Sequence, residues 1–357
     1  MKLQRLPLML LAIAALAGGI ATGLRRIGWD VAGPGYALPL DHGPLMVTGF
    51  LGTLIGLERA VALGRGWVYA GPIASGLGML AHLAGGPAFL APASATIAGA
   101  VLVAALATVV VRHPTLFHVV MAVAAACWAI GSALWLGGAP HTGWVSWWVG
   151  FLVLTIAAER LELTRLLPAA RGSRASFVAV AALLLAAVAA GGVGGAASAR
   201  VTGLALALLA AWLVRYDIAR RTIRQQALPR FTAVCLLSGY AWLGIGGALL
   251  LAAGAVVAGP MYDAVLHAVF LGFVFAMIFG HAPIVFPAVL GVAIPFRPAF
   301  YTHLALLHVS LLARFAADLA SAPGLRRWSA LLNAAAIGLF FVNTAAAVIR
   351  GRLHGDH

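Results

Sequence analysis

The chain has 357 residues, of which 63% are hydrophobic and only 9% charged, and its mean hydropathy is +1.03. That composition excludes an ordinary soluble globular domain and points to an all-α polytopic membrane protein, in which the lipid bilayer is the first partner. The net charge of +14 does not describe a nucleic-acid surface, because no soluble segment presents it. The basic residues flank apolar runs, where they set topology and attract anionic headgroups.

About 20 apolar residues cross roughly 30 Å of hydrocarbon. Twelve transmembrane helices are predicted, at about 6–24, 42–63, 67–85, 92–111, 115–137, 143–165, 176–193, 200–218, 231–253, 262–290, 299–319 and 328–349. Seventeen of the 23 Lys and Arg then fall on one side, among them Lys2, Arg165 and Arg171. Short basic loops stay inside, which predicts cytoplasmic N- and C-termini in a bacterial-type inner membrane. The opening Met1-Lys2-Leu3-Gln4-Arg5 before an apolar run has the look of a signal peptide, but it is read as a retained first helix that completes a repeated unit.

That unit shows in the second predicted span. Asp41-His42-Gly43-Pro44 opens it, and Gly49-Phe50-Leu51 leads on to Ile55 and Glu58-Arg59. The sixth span repeats this as Gly150-Phe151-Leu152, Ile156 and Glu159-Arg160, and the tenth as Gly272-Phe273-Val274, Ile278 and His281. Two of only three Glu residues fall at matching positions beside an Arg, which chance does not favour. The copies lie four spans apart, so they run parallel: three four-helix pseudo-repeats, about 1–112, 113–224 and 225–357, in one transmembrane domain, 1–357. Two readings are open for Glu58, Arg59, Glu159 and Arg160: interfacial ion pairs with snorkelling arginines, or a proton entry point.

Between these copies the fifth and sixth spans carry Trp128, Trp135, Trp144, Trp147 and Trp148, expected as an aromatic belt, with a quinol or partner surface as the other reading. Cys127 and Cys235 stand alone in spans five and nine and read as small packing residues. The stretch from Arg215 to Arg230 reads as a basic loop or short helix. Pro283 and Pro287 are expected to kink the tenth span or end its regular part.

Histidine carries the sharper signal, since burying an unpartnered imidazole costs roughly 2–7 kcal/mol. His42, His82, His141 and His267 lie toward one face and His113, His118, His281 and His303 toward the other, with His308 nearer mid-depth and His354 and His357 in the tail. His267 and His281 are 14 residues apart, about 21 Å of helix rise, so one cofactor cannot take both. His113 and His118, like His303 and His308, are five apart, which is not a chelating helical spacing. Two readings stand for His118, His281, His303 and His308: an inner metal site, copper included, or four separately hydrogen-bonded imidazoles.

The parallel four-helix units, His42 opening span two, and the run Leu266-His267-Ala268-Val269-Phe270-Leu271-Gly272-Phe273 with Phe286-Pro287 after it together resemble the haem–copper oxidase subunit I scaffold. They are also similar to its smaller NnrS-type relatives. The resemblance implies haem b held between His42 and His267 and a role in electron transfer or in nitric oxide or nitrite metabolism; the other reading is that His42 caps a helix at the interface and His267 bonds a carbonyl, and Asp41 reads equally as an orienting neighbour of His42 or an interfacial acid. A quinol or a periplasmic redox protein would be the partner. The chain departs from the oxidase pattern at Val265, where a second histidine would stand, and span seven has no histidine; oxygen reduction at the usual haem–copper centre is not expected. A haem-free proton or metal transporter is the rival from another class, and a purely structural subunit the third reading.

Overall fold

The computed structural model describes residues 3–31, 41–164 and 172–354; Lys2, Arg165, Arg171 and His357 lie outside them. In chain order the main helices are α1 (Leu6–Arg26), α2 (His42–Leu63), α3 (Ala70–Leu83), α4 (Leu90–Arg112), α5 (Leu116–Leu136), α6 (His141–Leu163), α7 (Ser173–Ala189), α8 (Ala196–Tyr216), α9 (Ala227–Ala253), α10 (Gly259–Leu290), α11 (Phe300–Leu319) and α12 (Pro323–His354). No strand occurs among the described residues. Ten of these helices are long and apolar enough to cross a membrane; α3 and α7, with 14 and 17 residues, are shorter. Helix is the form that satisfies every backbone N–H and C=O within one segment, which hydrocarbon requires.

Each predicted span coincides with one helix, and the ends move for local reasons. The seventh stops at Ala189 because Gly191 and Gly192 take positive φ, +119° and +51°, a region open to glycine without a Cβ clash. Of the two readings for the prolines of α10, ending the helix is excluded: Pro283 and Pro287 lie inside it, and it continues to Leu290.

The chain forms two compact units, Met1–Phe151 with Ala288–Gly291, and Leu152–Pro287 with Val292–His357. In the first, Leu45, Met79, Leu83, Ala91 and Ala95 form a buried cluster against which Trp135 packs. Trp128 and Trp148 are also fully buried, with Trp128 stacked on Phe151 at 5.1 Å. Two of the five expected belt tryptophans are therefore core, because α5 and α6 turn them inward. In the second unit α8 and α9 cross on glycines: a Cβ at Gly203 would lie 2.6 Å from the Gly247 carbonyl, and one at Gly247 would lie 2.6 Å from the Ala207 nitrogen. Small residues at such crossings let backbones approach where lipid offers no hydrophobic drive. Cys127 and Cys235 are buried and unbonded to each other.

Two departures from regular helix stand out. Leu45–Gly52 in α2 and Ala268–Phe275 in α10 are π-helical, eight residues each. Their offset is 223 residues at both ends, the same as from Gly49 to Gly272. The matching stretch of α6 is ordinary α-helix. Each π segment places a glycine under a tryptophan, since a Cβ at Gly52 would strike the Trp128 ring and one at Gly272 the Trp242 ring.

Candidate functional site

His42 is the first residue of α2, and its Nδ1 lies 2.7 Å from the Gly19 carbonyl oxygen of α1. A carbonyl only accepts, so Nδ1 carries the proton and Nε2 is the lone-pair nitrogen. Room for the ring comes from Gly23, where a Cβ would sit 2.7 Å from Nδ1. Gly19, one turn earlier, admits Met46, whose Sδ would lie 2.7 Å from a Cβ there. Gly19 and Gly23 share a helix face, so one glycine stripe seats both His42 and Met46. Asp41 Oδ1 lies 3.2 Å from His82 Nε2, and the acceptor that orients His42 is the Gly19 carbonyl.

His267 sits one residue before the π segment of α10, with Nδ1 2.8 Å from the Asp263 carbonyl oxygen and 3.5 Å from its carboxylate Oδ1. The same tautomer follows, with Nε2 again the lone-pair nitrogen. Asp263 is buried, and Arg314 grips it with two bonds, Nε to Oδ2 at 2.8 Å and Nη2 to Oδ1 at 2.9 Å. Arg326 Nη2 stands 3.6 Å from the same carboxylate, and its Nε pairs with Asp318 at 3.0 Å. A bidentate Arg–carboxylate pair fixes direction as well as charge. Sequence reasoning missed Asp263 and Arg314. The signal was an Asp four residues before His267, in a chain with six Asp in all.

The Glu-Arg motif takes two forms. Glu58 Oε1 and Arg59 Nη2 are 3.6 Å apart and partly exposed. Arg160 is buried at the end of α6, and its Nε lies 3.6 Å from Oδ2 of Asp217, the residue that follows α8. Asp217 is also buried and accepts a 2.6 Å bond from the Ala219 N–H through Oδ1, which starts the short helix Ala219–Thr222. The Tyr240 hydroxyl, from mid-α9, is buried and coupled electrostatically to both Asp217 and Arg160. His281 feels the charges of Arg160, Glu159 and Asp217, and its Nδ1 lies 2.8 Å from the Met277 carbonyl. Burial pushes the Asp217 carboxyl above its ordinary range, opposed by Arg160, the Ala219 N–H, Tyr240 and His281. The basic 215–230 segment thus hides one acid, and an Asp just after an apolar span was the available sign.

The expected inner metal set is not assembled. Among the described residues no three His, Cys, Asp or Glu group as a metal site. His308 receives the Trp242 Nε1–H at Nδ1, 2.9 Å, and its Nε2 lies 2.9 Å from Ser238 Oγ. Indole only donates, so Nδ1 is the acceptor, Nε2 carries the proton, and both nitrogens are engaged. His303 is fully buried, and its Nδ1 meets the Asn343 amide nitrogen at 3.1 Å. Its Nε2–H has no hydrogen bond and lies among rings, Phe279 at 4.7 Å and Phe340 at 5.4 Å between centroids, both near-perpendicular; an N–H over an aromatic face is a weak bond. His118 lies in the other unit and holds the start of α5, with Nδ1 2.8 Å from the His113 carbonyl and 3.0 Å from Thr115 Oγ1. These are separately bonded imidazoles.

No curated protein and no solved structure matches the chain. A family model described as "Domain of unknown function (DUF8744)" matches residues 5–349. With nearly the whole chain inside that match, the protein belongs to the DUF8744 family.

Proposed function

We propose that this chain is a haem-b-binding membrane protein in which His42 and His267 each supply an axial imidazole. One observation carries the reading: both rings have Nδ1 fixed on a backbone carbonyl, which puts the lone pair on Nε2, and both stand beside π segments that are themselves at the repeat offset. Metal-bound histidines are held by a hydrogen bond at the second ring nitrogen in this way, and π segments gather at functional sites. Asp263, gripped by Arg314, stands behind the His267 ring as a carboxylate stands behind a metal-bound imidazole.

Held by these two imidazoles, the haem would supply one-electron transfer. Electron transfer is therefore the preferred activity over nitric oxide or nitrite chemistry at this haem, with quinol or a periplasmic redox protein as the exchange partner. In this reading α3 and α7 also cross, giving twelve spans in three parallel four-helix units, with both termini on the cytoplasmic side of a bacterial-type inner membrane. Copper has no place in it, because His303 and His308 have no lone pair to give.

The test is a reduced-minus-oxidised absorption spectrum of the protein purified from haem-replete cells, with His42→Ala and His267→Ala alongside. A b-type band present in the wild type and lost in both variants is the expected result. A colourless wild type ends the proposal, and a band that survives either variant removes that histidine from it.

A further inference from the structure

We propose that Arg160, Asp217, Tyr240 and His281 form a proton-binding site, with Oδ2 of Asp217 as the atom that takes the proton from solvent. The argument begins with a contrast between two buried carboxylates of the same unit. Asp263 has both oxygens saturated by Arg314. Asp217 has one: Oδ1 accepts from Ala219, while Oδ2 faces Arg160 Nε at 3.6 Å and is buried with no hydrogen bond. Arg160 Nε and the Tyr240 hydroxyl are buried beside it in the same condition. A carboxylate placed only for structure is saturated; here a carboxyl oxygen and a phenol lie unsaturated beside a buried arginine, and His281 acts on the carboxyl from α10.

Charge points the same way. Facing Asp217 are Arg160 from α6, Tyr240 from α9 and His281 from α10, with Glu159 acting on His281, while Arg215, Arg220 and Arg221 on its own segment are exposed to solvent. Burial outweighs the pull of Arg160 on the Asp217 carboxyl, so the buried acid favours the proton. One proton on Oδ2 removes a charge from that buried place. The arginines outside draw counter-ions, not the buried acid, so the proton is held by burial. The four groups come from four helices or their ends, and the tertiary fold, not a local motif, builds the site. None of this depends on haem.

The test is infrared difference spectroscopy of the full-length protein in detergent during pH steps, following the carbonyl stretch of a protonated carboxylic acid and its shift in heavy water. The expected result is such a band persisting above the ordinary carboxylate range in the wild type and in Glu159→Gln, and lost in Asp217→Asn. Tyr240→Phe and His281→Gln each remove a group that favours the carboxylate, so each moves the titration midpoint upward by about one pH unit. A wild type whose acid band vanishes in the ordinary carboxylate range, or a band that remains in Asp217→Asn, overturns the proposal. Should Asp217→Asn fail to fold, unmoved midpoints in both Tyr240→Phe and His281→Gln overturn it, and raised ones support it.

Discussion

His42 and His267 present the same ring nitrogen by different means. In the first unit a glycine stripe on α1 brings a carbonyl to Nδ1, and the ring is held by shape: Gly19 supplies the acceptor and Gly23 the space. In the second unit the acceptor lies on the same helix, and a buried Asp263–Arg314 pair stands behind it. Packing confines the first ring, and charge orients the second. The first mount is therefore sensitive to volume and the second to charge, which single substitutions can separate.

The largest effect is expected for Arg314→Ala. Removing one partner of a buried ion pair leaves Asp263 uncompensated, a loss of about 3–5 kcal/mol, seen as a lowered thermal midpoint in detergent. Arg314→Met, with Asp263→Asn to remove the charge as well, should recover much of it; equal damage from both variants would show that packing, not charge, holds this end. Gly23→Ala comes next. Its Cβ would meet His42 Nδ1 at 2.7 Å, so the ring must tilt off the Gly19 carbonyl, costing about 1–3 kcal/mol. If His42 binds haem, that variant should weaken the b-type band while His267 is untouched, and an unchanged band would break the volume side of the comparison.

Smaller is the pH effect of Asp217. Its folded-state carboxyl is raised above the ordinary 3.8, so the folded state holds the proton more tightly than the unfolded chain. The stability this contributes is complete below 3.8 and is lost as pH rises through the raised value, with a slope of at most about 1.4 kcal/mol per pH unit. Asp217→Asn should flatten that segment of a stability-against-pH curve, and an unaltered slope would place the proton elsewhere. The smallest effect belongs to Glu58→Gln. A partly exposed pair 3.6 Å apart is worth about 0.2–1 kcal/mol, so its thermal midpoint should barely move, whereas Arg160→Gln, at the matching repeat position, should be strongly destabilising.

Glu58-Arg59 and Glu159-Arg160 show how far sequence reading reached. The two pairs look alike along the chain, and both were open to the same two readings. One lies partly exposed, whereas the other arginine turns to Asp217, 57 residues on in sequence. Nothing within either motif distinguishes them. His303 and His308 repeat the lesson, since their spacing ruled out a helical chelate, yet the partners that occupy their nitrogens come from α9 and α12.

Hydropathy is a property of each segment by itself, and so the chain alone determined an all-helical membrane architecture, the position of every helix to within a few residues, and the short list of polar groups worth asking about. The tertiary structure decided which of those groups meet. It also decided where the helices widen into π turns, that Trp128 and Trp148 face the core, and that Asp217 and Asp263 carry different loads. A buried polar atom must be satisfied by whatever the fold brings within about 3 Å. In a chain with nine acidic residues and 23 basic ones, that choice is made across helices and leaves little trace along any one of them.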